Sequence, residues 1–266
     1  VLYLLWHGDL PTEADLADFR DRMAVDRSID DDLLATLSAL ADADEDPMAA
    51  LRTGVSMLSA TDPDPDADPR DREATLRKGR RITAAMPTIL AAFDRFRRDE
   101  DPVAPDEDLS HAANFLYMLT GEEPDDVAAE TFDMALTLHA DHGLNASTFT
   151  TLVIASTYAD IYNAVTGGVG ALAGPWHGGA NQDVIRTLLE IDESDRDPIE
   201  WVQDTLDAGE RVPGWGHRVY SVKDPRAKIL AERSELLADA TGDRTWYEYA
   251  ATIEDYLTEE VGLPEK

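Results

Sequence analysis

Hydrophobic residues recur every three or four positions along most of the chain, which is the spacing of one face of an α-helix. The stretch after Thr12 places Leu16, Phe19 and Met23 on one face, and the stretch after Asp30 places four leucines on another. Alternating runs long enough for a sheet do not occur in the sequence, and it contains no internal repeat. The pattern predicts an all-α fold of about a dozen helices.

Prolines and acidic runs divide this pattern into segments. Residues 61–70 contain three prolines and four aspartates, which predicts an exposed connection. The helical pattern of residues 73–96 contains Pro87, which we expect to kink the helix or split it in two. Pro124 is expected to occupy the first position of the next helix.

The longest stretch that is poor in charge spans residues 146–173. Only an interior helix can be apolar nearly all round, so we expect one buried helix at the centre of the fold. Asp160, Asn163 and several glycines argue against a membrane span, which would not usually carry such residues at its centre.

The charge balance is strongly acidic, with 55 acidic against 23 basic residues and a net charge of −32. Binding to nucleic-acid phosphates or anionic membranes depends on basic residues, so both are disfavoured. Hydrophobic residues make up 43% of the chain, which excludes disorder as the explanation. With only four lysines, the composition predicts a surface suited to high salt.

The 266 residues suffice for one large domain or two unequal ones. Disulfides, thiolate metal sites and a cysteine nucleophile are excluded because cysteine is absent. The chain begins at Val1 without a recognisable targeting segment, and we expect residues to be missing before it.

Two histidines, His139 and His142, lie three residues apart in the sequence HADHGLNAS. At this spacing both would share one face near the end of a helix. Three interpretations stay open: a metal pair with Asp141, a histidine that caps the last carbonyls of the helix, or a hydrogen-bond donor within a binding site.

Residues 174–181 read GPWHGGAN and precede an amphipathic helix. His177 would lie at the positive end of the helix dipole, which favours the neutral imidazole, and free backbone N–H groups there attract anions. A neutral imidazole can donate a hydrogen bond that polarises a carbonyl. The alternative is a tight turn in which His177 merely packs.

The third histidine motif, VPGWGHRVYSVKDPR, spans residues 212–226 and contains His217. Asp224 and Pro225 are expected to begin a helix, which places Arg226 in its first turn, unfavourable for a cation unless it binds a carboxylate. Alternatively, Arg226 is a surface residue paired with an acid. Together the three motifs predict a site that binds a polyanionic small molecule and moves protons at carbonyls.

The chain resembles the citrate synthase family, in particular its haloarchaeal members. Six motifs in the family's order carry the resemblance and cover nearly the whole chain: LLWHGDLPT, DPMAALRTGVS, LSHAANFLYMLTGEEPD, HADHGLNASTFT, GALAGPWHGGANQDV and VPGWGHRVYSVKDPRA. The resemblance implies a cytoplasmic, all-α homodimer that condenses acetyl-CoA with oxaloacetate and hydrolyses citryl-CoA. Residues 1–173 would belong mainly to the large helical domain, and residues 174–266 would form the end of that domain and most of the small domain, which is truncated.

By motif, the resemblance assigns catalysis to His177, which would hydrogen-bond the thioester oxygen, and to His217, which would protonate the oxaloacetate carbonyl. His142 and Arg226 would bind oxaloacetate. Acetyl-CoA is a cosubstrate, and no metal or permanently bound cofactor is implied. Contacts to the adenine would come from the backbone of Val212, Pro213, Gly214 and Gly216.

The family's aspartate base and two further substrate arginines are absent from this sequence, which we interpret as truncated at both ends. Asp141 and Asp160 do not lie in a matching motif. Two alternatives are a 2-methylcitrate synthase that uses propionyl-CoA and an inactive helical dimer or scaffold.

Overall fold

The computed structural model describes residues 1–215 and 223–262. Within these ranges the chain forms thirteen α-helices, one 3₁₀ turn and one π-helical turn, and no strand is found there. The all-α prediction is confirmed. The chain divides into two compact units, Val1–Ala173 and Gly174–Lys266.

The first unit contains nine helices and the 3₁₀ turn Leu58–Thr61. The helices are α1 (Leu2–His7), α2 (Glu13–Val25), α3 (Asp31–Asp42), α4 (Pro47–Met57), α5 (Arg72–Arg97), α6 (His111–Thr120), α7 (Asp126–His139), α8 (Ala146–Ala155) and α9 (Ile161–Leu172). Helix α5 packs against α3, α4, α6 and α9, and its residues Ile89 and Phe93 lie in the core of this unit.

In the second unit the described helices are α10 (Gly179–Glu193), α11 (Pro198–Asp207), α12 (Pro225–Thr241) and α13 (Thr245–Asp255), followed by the π-helical turn Tyr256–Glu260. Helix α13 contacts α10, α11 and α12. The core of the second unit contains Leu188, Ile191, Trp201, Val202, Val212, Ile253 and Leu257.

Aspartate side chains cap many of these helices. In seven of them the carboxylate of the N-cap residue accepts a hydrogen bond from a backbone N–H of the first turn. The seven capping residues are Asp30, Asp46, Asp71, Asp125, Asp160, Asp197 and Asp224. A carboxylate there also interacts favourably with the helix dipole, and such a cap is worth about 1 kcal/mol. Because Asp125 is the cap, Pro124 lies outside α7 and its predicted first position is wrong.

Helix α5 runs for 26 residues and contains Pro87 in its interior. The predicted alternative in which the helix splits in two at this proline is therefore wrong. Proline removes one backbone hydrogen bond, but buried residues on both sides of it, Ala84, Ala85, Thr88 and Ile89, hold the helix in the core.

The predicted single buried helix over residues 146–173 is wrong, because two helices form there. Tyr158 adopts a left-handed φ of 62°, and the Asp160 carboxylate caps α9, so the chain turns between α8 and α9. Helix α9 is buried through residues such as Tyr162 and Val169. Helix α8 has no buried residue.

The loop of residues 61–70 is exposed only in part, which corrects its prediction. The Asp62 carboxylate is buried and accepts hydrogen bonds from Tyr162 Oη at 2.6 Å and Arg77 Nη2 at 2.7 Å. Lys78, which is 3% exposed, donates to the Pro65 carbonyl at 3.2 Å. These polar contacts join the proline-rich loop to α5 and α9.

Candidate active site

The turn before α10 holds His177 through backbone hydrogen bonds. The Gly174 carbonyl accepts from the N–H groups of His177 at 3.0 Å and Gly179 at 3.2 Å. A side chain at Gly179 would come within 3.3 Å of that carbonyl oxygen, which is a tight contact that glycine avoids. His177 is half-buried and lies two residues before the first residue of α10.

At the end of α10 nearest His177, the first N–H groups donate to backbone carbonyls, Gly179 to Gly174 at 3.2 Å and Ala180 to His177 at 3.4 Å. The N-cap residue is Gly178, which has no side chain to cap the helix. The predicted position of His177 at a helix N-terminus is therefore the position that the structure describes. This arrangement places His177 beside the positive end of the helix dipole.

The HADHG segment is a connection between two helices. Helix α7 ends at His139, whose Nδ1 lies 2.7 Å from the Ala135 carbonyl oxygen. His142 follows three residues later, exposed and outside the helix, so the prediction that both share a helical face is wrong. Gly143, with a φ of 76°, and the Asn145 cap of α8 complete the connection.

The described part of the VPGWG motif packs on α10. Val212 is 5% exposed and belongs to the core of the second unit. Gly214 has a φ of 86°, and a side chain there would meet Val184 Cγ2 of α10 at 3.0 Å. Glycine is required at this position for both reasons. Gly216 and His217, two of the predicted site residues, lie outside the described residues.

Arg226 lies in the first turn of α12, as predicted, and already binds a carboxylate. Its Nη2 contacts Asp224 Oδ2 at 2.7 Å, and its Nε contacts Oδ1 at 3.1 Å. The same Asp224 Oδ1 caps the helix by accepting the Arg226 N–H at 2.9 Å. Both side chains are about one-fifth exposed, with values of 23% and 22%.

Lys223 joins this segment to α13 through an ion pair with Glu254. Arg226, His177 and the turn at Val212 belong to the second unit, whereas His142 belongs to the first. Within the described ranges, no group of three or more histidine or acidic residues forms a candidate metal site. None of the described helices has the length and apolarity required to cross a membrane.

One residue of this region was not singled out from the sequence. Trp176, next to His177, is 85% exposed. An aromatic residue inside a glycine-rich turn was the available signal, because such a turn cannot bury a large side chain easily.

The family model described as citrate synthase, C-terminal domain, matches residues 1–264. The citrate synthase of Haloferax volcanii is 61% identical over 264 residues, which is 99% of this chain and 70% of that protein. The chain belongs to the citrate synthase family. The family interpretation and the citrate synthase function derived from the six motifs are confirmed.

Solved citrate synthase structures share the fold. The Pyrobaculum aerophilum enzyme matches with a TM-score of 0.86 and 38% identity, over 97% of this chain and 66% of that one. The Thermoplasma acidophilum citrate synthase, in a ternary complex with carboxymethyl coenzyme A and oxaloacetate, matches with a TM-score of 0.86 and 28% identity, over 98% of this chain and 68% of that one. The chain thus spans about two thirds of the length of these citrate synthases.

Proposed function

We propose that this protein condenses acetyl-CoA with oxaloacetate and hydrolyses the resulting citryl-CoA to citrate and CoA. The observation that carries the proposal is the 61% identity to the Haloferax volcanii citrate synthase across 99% of the chain. The half-buried His177, two residues before α10, supports it, because an imidazole at this position can donate a hydrogen bond to a thioester oxygen.

In the proposed reaction, a base removes a proton from the methyl group of acetyl-CoA and an enol forms. His177 donates a hydrogen bond to the thioester oxygen, where the electron pair accumulates. The enol carbon then attacks the oxaloacetate carbonyl carbon, and His217 donates a proton to the carbonyl oxygen. Water finally attacks the thioester of citryl-CoA, and CoA leaves as the thiol. The base is the aspartate that the resemblance implies.

Substrate binding is assigned to residues by motif. His142 and Arg226 bind oxaloacetate, and the arginine fork matches a carboxylate, as its contact with Asp224 illustrates. Oxaloacetate binding would then compete with Asp224 for the guanidinium. The left-handed backbone at Gly214 supports a turn that a flat ligand can approach closely. Adenine contacts are assigned to the backbone of Val212, Pro213, Gly214 and Gly216, with acetyl-CoA as cosubstrate.

A cytoplasmic homodimer is part of the same proposal. Helix α8 supports it, because Phe149, Leu152 and Val153 are at least half exposed, at 59%, 55% and 50%. Monomeric proteins rarely leave such an apolar helix in water, and a second copy would cover it.

The deciding assay measures release of the CoA thiol from acetyl-CoA or propionyl-CoA with oxaloacetate, by the full-length protein in molar KCl. We expect turnover with a preference for acetyl-CoA. A strong preference for propionyl-CoA would identify a 2-methylcitrate synthase instead. The absence of CoA release from either thioester would favour an inactive helical scaffold.

A further inference from the structure

Trp176 is the most exposed tryptophan of the chain, with 85% of its surface accessible. Trp201 lies in the core of the second unit and Trp246 is 40% exposed, while Trp6 and Trp215 are half-buried. A large aromatic side chain stabilises a fold when it is removed from water. The 85% exposure of Trp176 therefore indicates a binding surface rather than a core position.

The backbone on which Trp176 sits is held in place. The carbonyl of Gly174 accepts hydrogen bonds from His177 N and Gly179 N, closing the turn on both sides of the tryptophan. Pro175 restricts φ immediately before Trp176. The indole is thus attached to a constrained turn, so a ligand that contacts it would order few additional backbone torsions on binding.

The neighbour of this indole is the candidate hydrogen-bond donor to the thioester. Adjacent α-carbons are about 3.8 Å apart, so the side chains of Trp176 and His177 leave the same turn. Residues 174–185 contain no lysine or arginine. This surface therefore suits an uncharged part of a ligand rather than its phosphates.

We propose that Trp176 binds the thioester end of the pantetheine arm of the acyl-CoA cosubstrate and thereby sets the affinity for it. The inference rests on the proposed function, which places the thioester oxygen at His177. The arm consists of methylene and planar amide groups, which pack on an indole face, and the indole N–H adds one donor. Trp176 is in this sense a binding residue next to the catalytic histidine.

Replacing Trp176 by leucine tests the proposal in the full-length protein. The KM for acetyl-CoA should rise roughly three- to tenfold, the scale of one lost aromatic contact, while the KM for oxaloacetate and the thermal midpoint stay the same. Trp246→Leu is the matched control, because Trp246 lies in α13 of the same unit and its ring packs on Tyr249. It should leave both KM values unchanged. An unchanged acetyl-CoA KM in the Trp176→Leu protein would overturn the proposal.

A short thioester locates the contact along the cosubstrate. S-acetyl-N-acetylcysteamine retains the thioester end and lacks the phosphates and adenine. If Trp176 contacts that end, Trp176→Leu should lower kcat/KM by the same factor for the short thioester and for acetyl-CoA. A loss that disappears with the short thioester would place the indole at the adenosine end and contradict the proposal.

A binding measurement separates this inference from the proposed reaction. The fluorescence of the wild-type protein minus that of Trp176→Phe reports on this indole, and acetyl-CoA should change it at a concentration near its KM. If the wild-type protein releases no CoA, the proposed function fails, but the same fluorescence change would still support binding at Trp176. Absence of the change refutes the proposal whether or not the protein turns over.

Discussion

Individual arginines of this acidic protein form hydrogen bonds with specific partners. Arg226 donates a hydrogen bond to Asp224, the residue that caps its own helix. Arg27 is 4% exposed and donates to the backbone carbonyls of Asp106 at 2.6 Å and Leu109 at 2.9 Å. The effect of a single substitution therefore depends on which of these partners the substituted residue loses.

Arg226→Ala should raise the KM for oxaloacetate or lower turnover, because the fork that binds a substrate carboxylate would be lost. Steady-state kinetics with varied oxaloacetate provides the measurement. Arg186→Ala is the control, since Arg186 is 66% exposed and pairs only weakly with Asp183 at 3.6 Å. Unchanged kinetics together with a lower thermal midpoint would make Arg226 a structural partner of Asp224 only.

His111 should make stability depend on pH. Burial, with a further contribution from the positive charge of Arg27, lowers the pKa of His111 below its ordinary value, and Asp133 opposes this only in part. The unfolded chain therefore binds more protons at His111 than the folded one does. The contribution of His111 to the free energy of unfolding is fully present above about pH 6.5 and is lost as the pH falls towards the pKa of the folded state.

The test compares urea midpoints at about pH 7.5 and pH 5.5. His111→Gln should lose less stability than the wild type on this change. His139→Gln, the same substitution at an exposed histidine, is the matched control. Equal losses in the wild type and His111→Gln would contradict the prediction.

Asp62→Asn should destabilise the first unit by roughly 3 kcal/mol, the scale for breaking a buried ion pair. Burial alone would raise the pKa of Asp62, but hydrogen bonds from Arg77 and Tyr162 outweigh it and hold the pKa well below its usual range. Denaturant titration of both proteins in molar KCl measures the difference. Asp68→Asn, at an exposed pair with Arg70, should leave the midpoint unchanged, and equal effects of the two changes would refute the assignment.

At the scale of the element, helices in the first unit approach each other where glycine removes the side chain. A side chain at Gly54 of α4 would come within 2.7 Å of Ile89 Cγ2 in α5, and Ile89 is fully buried. At Gly168 of α9 it would come within 2.6 Å of Thr151 Oγ1 in α8. These contacts set the spacing of the helix pairs α4–α5 and α8–α9.

Alanine at two helical glycines should therefore have opposite effects. Gly54→Ala should lower the free energy of unfolding by about 1–3 kcal/mol, because Ile89 cannot move aside in the core. Gly79→Ala in α5 meets no atom within 4 Å and should raise it by about 0.5–1 kcal/mol through the helix propensity of alanine. Denaturant midpoints of the two variants provide the comparison; the same sign in both would contradict it.

For the molecule as a whole, the net charge of −32 decides the response to salt. Carboxylate repulsion weakens as the Debye length shortens from about 8 Å near physiological ionic strength to about 3 Å at 1 M. Seven aspartates offset part of this cost locally by capping helices, but most acids remain on the surface.

The thermal midpoint and activity should consequently rise between about 0.2 M and molar KCl, as repulsion is screened. Differential scanning fluorimetry and the CoA-release assay across a KCl series measure both. Trimethylamine-N-oxide, an uncharged osmolyte, is the control: it should stabilise the protein without reproducing the ionic-strength dependence. A maximum in dilute buffer would contradict the interpretation of the charge.

Local sequence determined the helical content and the capping residues of α2 and α12. It also determined the family. Periodicity and short motifs such as Thr12 with Asp15 act within a few residues, so they can be read without a structure. The position of His177 before α10 follows from the same kind of signal.

Only the tertiary structure decided which apolar and polar groups are buried. Residues 146–173 are poor in charge throughout, yet α9 has buried residues and α8 has none, and Asp62 is buried within an otherwise exposed loop. Burial depends on partners distant in sequence, such as Tyr162 for Asp62, one hundred positions away. The exposure of Trp176 was also decided by the tertiary structure, although a large aromatic residue in a glycine-rich turn was a signal for it.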